Sequence, residues 1–207
     1  MAYPVIVQGG MGVGISGWRL ASAVARADQL GIVSGTGLDS AFARRLQNGD
    51  ADGSLRRALA HFPIPEIAQS ILDEHFISGG KAPDEPFRLA PVFTAEPSVP
   101  LHQLAVAANF CEVFLAKEGH EGQIGINYLE KIKLPNLASI YGAMLADVDY
   151  VFMGAGIPRE IPSAIDRFTR HEPASLRLDV VGAEADDDYR TWFDPKKVLG
   201  DDLPEIG

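Results

Sequence analysis

Three residues that follow an apolar segment near the start of the chain have the types and spacing of a ligand-contacting turn. The segment Pro4-Val5-Ile6-Val7-Gln8 is followed directly by Gly9, Gly10 and Met11. Glycine has no Cβ, so a ligand can approach its backbone closely, and the polarizable thioether of Met11 offers that ligand an apolar wall. A tight strand-to-helix turn would also use two glycines, so the motif alone allows both interpretations.

Two further candidates stand at the ends of later apolar segments. Asn127 lies near the end of the segment 123–128, and its amide can both donate and accept hydrogen bonds. Gly154 is the first residue of the turn Gly154-Ala155-Gly156 after the segment 149–153 and could line the same ligand site as Gly9, Gly10 and Met11. Each has a plainer alternative, because Asn is common in turns and glycines at strand ends often serve only as connections.

The other reactive side chains do not form a convincing site, and no catalytic residue is assigned. His120 precedes an apolar segment and is expected at the opposite edge of the sheet, in solvent. Cys111 lies on an apolar helix face and is predicted to be a core residue rather than a nucleophile. The remaining histidines lack Cys, His or carboxylate partners at ligand spacing, so no metal site is predicted: His61, His75, His102 and His171.

These candidates need a scaffold that brings several strand ends together, and the hydrophobic pattern predicts one. Residues 4–8 are expected to form a strand buried on both faces, and residues 31–34 a second buried strand. Between them, Ser16 is placed to cap a helix over residues 17–28. The apolar face of this helix is predicted to consist of Leu20, Val24 and Ala27. A strand, a helix and a strand in this order predict parallel strands joined by a right-handed crossover.

The rest of the chain predicts two more strand-helix units. Their strands cover 123–128 and 149–153, with helices over 136–146 and from Pro158 onward. Between the second and third units lies an insertion at about residues 50–120, in which 101–117 is expected to be a helix rather than to contain a strand at 111–115. Residues 1–170 thus form four βα units. Residues 171–207 form an extension with a strand at 175–181, an acidic loop and a short helix near Pro195.

Composition and charge indicate which kinds of molecule this protein binds. The net charge of −10 and the acidic run 186–188 argue against binding of nucleic acid, whose affinity comes largely from Lys and Arg. The chain has 46% apolar residues, a single cysteine and no uninterrupted transmembrane run, and its start lacks the features of a signal peptide. We therefore expect a cytoplasmic protein whose partners are small molecules or proteins, with no membrane attachment.

The motifs also resemble those of a known family. The segments 4–11 and 30–37 are similar to the first βαβ unit of nitronate monooxygenases, formerly called 2-nitropropane dioxygenases, which in turn resemble the flavin-dependent enoyl reductases of fatty acid synthesis. Gly125-Ile126-Asn127 and Gly154-Ala155-Gly156-Ile157-Pro158 are similar to the motifs that end the third and fourth strands of the family. The resemblance covers residues 3–48 and 123–170, in the same order.

The resemblance implies a fold, a cofactor and a reaction. The fold is a (β/α)₈ TIM-type barrel, of which this chain holds the N-terminal part, with FMN bound at the carboxyl ends of the strands. The reaction is the oxidation of alkyl nitronates by FMN and dioxygen, with a small-molecule substrate. The residues expected to bind the cofactor are Gly9, Gly10, Met11, Asn127 and Gly154.

The chain departs from the family pattern in two respects. The family's catalytic base is a His in a glycine-rich segment beyond the fourth strand, and no Gly-Gly-His segment occurs here. A complete barrel needs roughly 250 residues and eight strands, against the four predicted here. We therefore expect an incomplete barrel, inactive by itself, that self-associates or pairs with a complementary C-terminal half; a non-catalytic remnant remains an alternative.

A second alternative comes from the glycines at 12–17. Gly12-Val13-Gly14-Ile15-Ser16-Gly17 satisfies the G-x-G-x-x-G pattern of nicotinamide dinucleotide-binding oxidoreductases, and Asp39 falls near the expected acidic position. However, three residues separate the strand from the first of these glycines. The second strand also ends in Ser34-Gly35-Thr36-Gly37 rather than in an acid. This interpretation therefore ranks second.

Overall fold

Four strands form a parallel sheet in the computed structural model, which describes residues 4–184 and 186–207. They lie side by side in chain order, and every neighbouring pair is parallel. The strands are β1 (Val7–Gln8), β2 (Leu30–Ser34), β3 (Ile124–Leu129) and β4 (Tyr150–Gly154). The predicted α/β class, with four parallel strands in βα alternation, is confirmed. Residues 1–3, the start of the segment that is predicted not to be a signal peptide, lie outside the described residues.

Helices connect the strands, and an antiparallel hairpin follows the last of them. The helices are α1 (Trp18–Ala25), α2 (Leu38–Gln47), α3 (Ser54–Leu59), α4 (Pro65–His75), α5 (Val99–Lys117), α6 (Lys133–Leu145), α7 (Ile161–Phe168) and α8 (Pro195–Leu199). The hairpin strands are β5 (Ala174–Arg177) and β6 (Arg190–Phe193). Helix α7 begins three residues after the predicted start at Pro158, because Pro162 rather than Pro158 occupies its first turn.

Helix α5 is the central helix of the core. It packs against α1, α2, α3 and α6, and most of its side chains are buried, including Cys111 as predicted. Among the described residues, it is the one helix long and apolar enough to span a membrane by length and composition. In this fold the helix lies inside the protein, and it carries the buried polar residues Asn109 and Glu112.

The helices that connect the sheet strands pack on one face of the sheet. Paired residues of parallel strands point to the same side, so the register assigns Val33, Ile126 and Tyr128 to one face. The Tyr128 hydroxyl lies 2.9 Å from Asn109 Oδ1 on α5 and 3.0 Å from the Ser139 carbonyl oxygen on α6. We call this side the helix face. The opposite face carries Ile32, Ser34, Gly125, Asn127, Phe152 and Gly154.

The first strand and the first helix differ from their predictions. Val5, Ile6 and Val7 are exposed rather than buried on both faces, because the strand at this edge of the sheet is limited to Val7 and Gln8, the two residues that pair with β2. The side of α1 that packs on the sheet consists of small residues, not of the predicted Leu20, Val24 and Ala27. The reason is close backbone contact: a Cβ on Gly31 would lie 2.7 Å from the Ala21 carbonyl carbon. The buried residues of α1 are Ala21, Ser22 and Ala25.

Candidate functional site

The turn after β1 and the end of β3 meet at the carboxyl edge of the sheet. A Cβ on Gly10 would lie 2.5 Å from Asn127 Cγ, so the Gly10 backbone rests directly on the Asn127 amide. Asn127 Oδ1 accepts a hydrogen bond from Ser34 Oγ at 3.2 Å, which joins the end of β2 to the same cluster. Within the described chain, Asn127 Nδ2 has no hydrogen-bond partner, so its two N–H groups are available to a ligand.

Ser16 holds the turn Gly9-Gly10-Met11 through hydrogen bonds. Its buried hydroxyl accepts a hydrogen bond from the Met11 backbone N–H at 3.0 Å and donates one to the Gly9 carbonyl at 3.4 Å. Its own carbonyl accepts a hydrogen bond from Ser34 N at 2.8 Å. The prediction that Ser16 caps α1 is therefore wrong. Gly17 is the N-cap residue, and the Ser16 side chain instead fixes the turn against β2.

Helix α1 receives its cap from a distant residue. The Trp18 backbone N–H donates to Glu112 Oε1 at 2.8 Å, and Glu112 Oε2 lies 3.1 Å from Arg45 Nη1. Glu112 is buried in α5, 94 residues along the chain from Trp18, so no local sequence signal indicates this contact. The carboxylate occupies the helix N-terminus, where a dinucleotide-binding fold would hold a phosphate.

The other predicted ligand contacts lie along the same edge. Gly9 and Met11 are exposed, Met11 by 73%, so both are accessible to a ligand. Gly154 pairs with Leu129, two residues beyond Asn127, and therefore lies on the same sheet face one strand further along. Its carbonyl accepts from Glu130 N at 2.7 Å. The structure thus brings Gly9, Gly10, Met11 and Asn127 together and places Gly154 beside them, outside the cluster.

No histidine belongs to this cluster. His120 lies at the opposite edge of the sheet, as predicted, but it is half-buried and bonded rather than simply solvated. Its Nδ1 accepts from Gly122 N at 3.0 Å, and its Nε2 lies 2.7 Å from the Ala116 carbonyl oxygen, so the ring joins the segment before β3 to α5. Over residues 4–184 and 186–207, no three His, Cys, Asp or Glu side chains form a group that could hold a metal ion.

The single cysteine, Cys111, is buried and is not a reactive nucleophile. Burial raises the pKa of the Cys111 thiol well above its ordinary value, so the thiolate is disfavoured. The cluster around Asn127 therefore offers shape and hydrogen bonding, through the open Gly9 backbone, a thioether and a free amide, while Glu130 and Lys133, 3.4 Å apart, lie further along the same edge after β3. The chain matches no family model, no curated protein and no solved structure.

Proposed function

We propose that this chain forms the ring-binding part of an FMN-dependent oxidoreductase that resembles nitronate monooxygenase and oxidises alkyl nitronates with dioxygen. The observation that supports the proposal is the contact between the turn Gly9-Gly10-Met11 and the Asn127 amide. The Gly9 backbone, where nothing lies within 4 Å of a Cβ position, could lie against a flat isoalloxazine ring, whereas the corresponding space at Gly10 is filled by the Asn127 amide. The carbonyls and ring nitrogens of the flavin could accept hydrogen bonds from Asn127 Nδ2. Met11 would cover an edge of the ring and exclude water.

The chemistry in this proposal is divided between the flavin and the protein. When bound, FMN would supply the redox chemistry between the substrate and dioxygen. The residues of this chain would hold the ring: Gly9 would set its distance from the sheet edge, and Asn127, seated on the Gly10 backbone, would set its orientation. Ser34 and Ser16 keep those groups in place through the hydrogen bonds described above.

We further propose that the four strands are the first half of a (β/α)₈ barrel. In such a barrel, consecutive parallel strands lie side by side and all helices lie outside. A doubly wound sheet instead reverses its strand order and carries helices on both faces. The order β1-β2-β3-β4 and the common face of α1, α5 and α6 fit the barrel. The face with Ile32, Asn127 and Phe152 would then point inward, and a complementary half or a second copy would cover it.

The nicotinamide alternative has less support. In a dinucleotide-binding sheet the fourth strand lies beside the first, whereas here β4 lies beside β3. Ile15 N and Ser16 N both donate to the Gly12 carbonyl at 3.0 Å, so the glycines at 12–17 form a closed turn. The Glu112 carboxylate would also repel a phosphate at the start of α1.

The absence of a histidine from the cluster favours a chain that binds the ring without turnover by itself.

A comparison of riboflavin and FMN tests the proposed function. The usual phosphate site of such barrels lies in the loops after the seventh and eighth strands, so the proposal gives this chain the ring pocket alone. We expect both flavins to bind equally, with dissociation constants on the order of 0.1 mM, as for a ligand of this size held by its ring. The measurement is quenching of flavin fluorescence by the purified chain.

Two further measurements use the same purified chain: binding of NADH and oxidation of a simple alkyl nitronate. We expect neither binding of NADH nor oxidation of the nitronate. Tighter binding of NADH than of riboflavin would support the nicotinamide alternative. Absence of quenching with both flavins would contradict the flavin proposal, and one tightly bound FMN per monomer with turnover would contradict the half-barrel.

Replacing Asn127 should weaken binding of the ring. Asn127→Ala removes the free amide, which contributes about 1 kcal/mol of hydrogen bonding, so we expect riboflavin affinity to fall about fivefold. The fold should persist, because the side chain is only half-buried at the sheet edge. Asn48→Ala, at an exposed position at the end of α2, is the matched control. Equal riboflavin affinity in Asn127→Ala and wild type would remove Asn127 from the site.

A further inference from the structure

Glu112 is a buried carboxylate with two partners from two other helices. Its side chain is 5% exposed. Oε1 accepts from the Trp18 N–H at the start of α1, and Oε2 pairs with Arg45 on α2. A Cβ on Gly17 would lie 3.1 Å from Oε1, so the glycine at this position makes room for the carboxylate. One side chain of the core helix α5 thereby joins α1, α2 and α5.

The Glu112 carboxylate supplies the N-terminal cap that α1 lacks in its own sequence. The helix has no side-chain cap from its own N-cap residue and no acidic residue in its first turn. Its first N–H groups and the positive end of its dipole therefore lack a local partner. A buried carboxylate is costly unless it is paired and hydrogen-bonded, and α1 and Arg45 together meet that requirement. The helix and the carboxylate stabilise each other.

The cap also acts on the glycine turn. Ser16, directly before Gly17, holds Met11 and Gly9 through its hydroxyl and holds β2 through its carbonyl. Fixing the first residue of α1 therefore fixes the base of the turn that carries Gly9, Gly10 and Met11. The carboxylate also fills the place that the glycine motif would otherwise offer to an anion.

We propose that Glu112 is a positioning residue for the turn Gly9-Gly10-Met11 and that it serves as the built-in anion of the α1 N-terminus, which closes that site to phosphates. The link to flavin rests on the proposed function, whereas the capping role does not. Glu112 acts through α1 and the turn, since its own contacts are with Trp18 and Arg45.

Hydrogen exchange and chemical rescue test the role of Glu112. In Glu112→Ala, amide exchange over residues 9–18 should rise on the order of tenfold to a hundredfold, as for loss of a charge-assisted hydrogen bond, while exchange in β3 changes less. Added formate should slow exchange over 9–18 in this variant by binding at the vacated cap, and it should leave wild type unchanged. Glu118→Ala, which breaks an exposed pair with Arg57 near the end of the same helix, is the matched control and should not affect 9–18.

A conservative variant keeps the test decisive if Glu112→Ala does not fold. Glu112→Gln retains an oxygen for the Trp18 N–H, so exchange should rise only severalfold and formate should have no effect. Exchange over 9–18 that equals wild type in both variants, that rises equally in every strand, or that ignores formate in Glu112→Ala would overturn the proposal. These readouts need no flavin, so a chain that fails to bind riboflavin but shows this pattern contradicts the proposed function alone.

Discussion

Gly142→Ala is expected to lower the free energy of unfolding by about 2 kcal/mol or more, because the core helices leave no room for a methyl group. Helices α5 and α6 form the most extensive helix contact of the fold, and Gly142 lies where their backbones meet. A Cβ at this position would lie 2.8 Å from the carbonyl carbon and the Cα of Val106. Both atoms belong to helix backbone, so relief requires the two helices to move apart.

The measurement is the midpoint of chemical or thermal unfolding. Alanine would raise the helix propensity of α6 by about 1 kcal/mol, so a net loss shows that the clash outweighs this gain. For a chain of this length we expect the melting temperature to fall by roughly 4–8 °C. Gly12→Ala is the control, since nothing lies within 4 Å of the place its Cβ would take. A Gly142→Ala chain as stable as wild type would show that α5 and α6 separate at little cost.

Hydrophobic periodicity was sufficient to predict the scaffold. Strands β2, β3 and β4 and helix α5 are long apolar segments bounded by glycine or by polar turns, and their predicted bounds agree with the structure to within a few residues. The predictions of burial fail where contacts with a neighbouring element determine which side chains are buried. Val7 in β1 is exposed and Gln8 is half-buried, because this short strand lies at the edge of the sheet and has neighbours on one side only. Helix α1 presents alanine to the sheet because Gly31 allows its backbone to approach.

The candidate site was predictable in its local parts only. The order of the motifs indicated Gly9, Gly10 and Met11 and also Asn127, and parallel pairing then brings those strand ends to one edge. The close contact between Gly10 and Asn127 and the capping of α1 by Glu112 join residues about a hundred positions apart. The spacing of these residues does not encode such contacts, because the first depends on how the turn after β1 folds onto the end of β3 and the second on where α5 lies against α1.

A second large effect is expected from His102, which lies in an apolar cluster where α5 meets the hairpin. Its ring is 7% exposed and packs edge-on against Phe193 at 5.2 Å between ring centroids, with Phe93 at 5.9 Å on another side. No described hydrogen bond or ion pair involves the imidazole. The charged residues that share the adjoining cavity are Glu96, Asp188 and Arg190, and two of these are already paired with each other.

Acidification should therefore weaken the fold through His102. Burial lowers the pKa of His102 to about 4 from an ordinary value of 6.5, because the charged ring would lose its water without gaining a partner. The unfolded chain then binds a proton between pH 6.5 and 4 that the folded chain does not. Stability from this group is thus complete above pH 6.5 and is lost as the pH falls toward 4, by at most about 3 kcal/mol.

His102→Phe isolates this contribution from those of other groups. Phenylalanine keeps an aromatic ring against Phe93 and Phe193 but cannot take a proton, so the variant should lose less stability than wild type between pH 6.5 and 4. The comparison must use the difference between the two proteins, because burial also lowers the pKa of His75 and adds a slope of the same sign to both. Urea unfolding at several pH values gives the two curves. Parallel curves over this range would show that His102 takes up its proton without disturbing the contact between α5 and the hairpin.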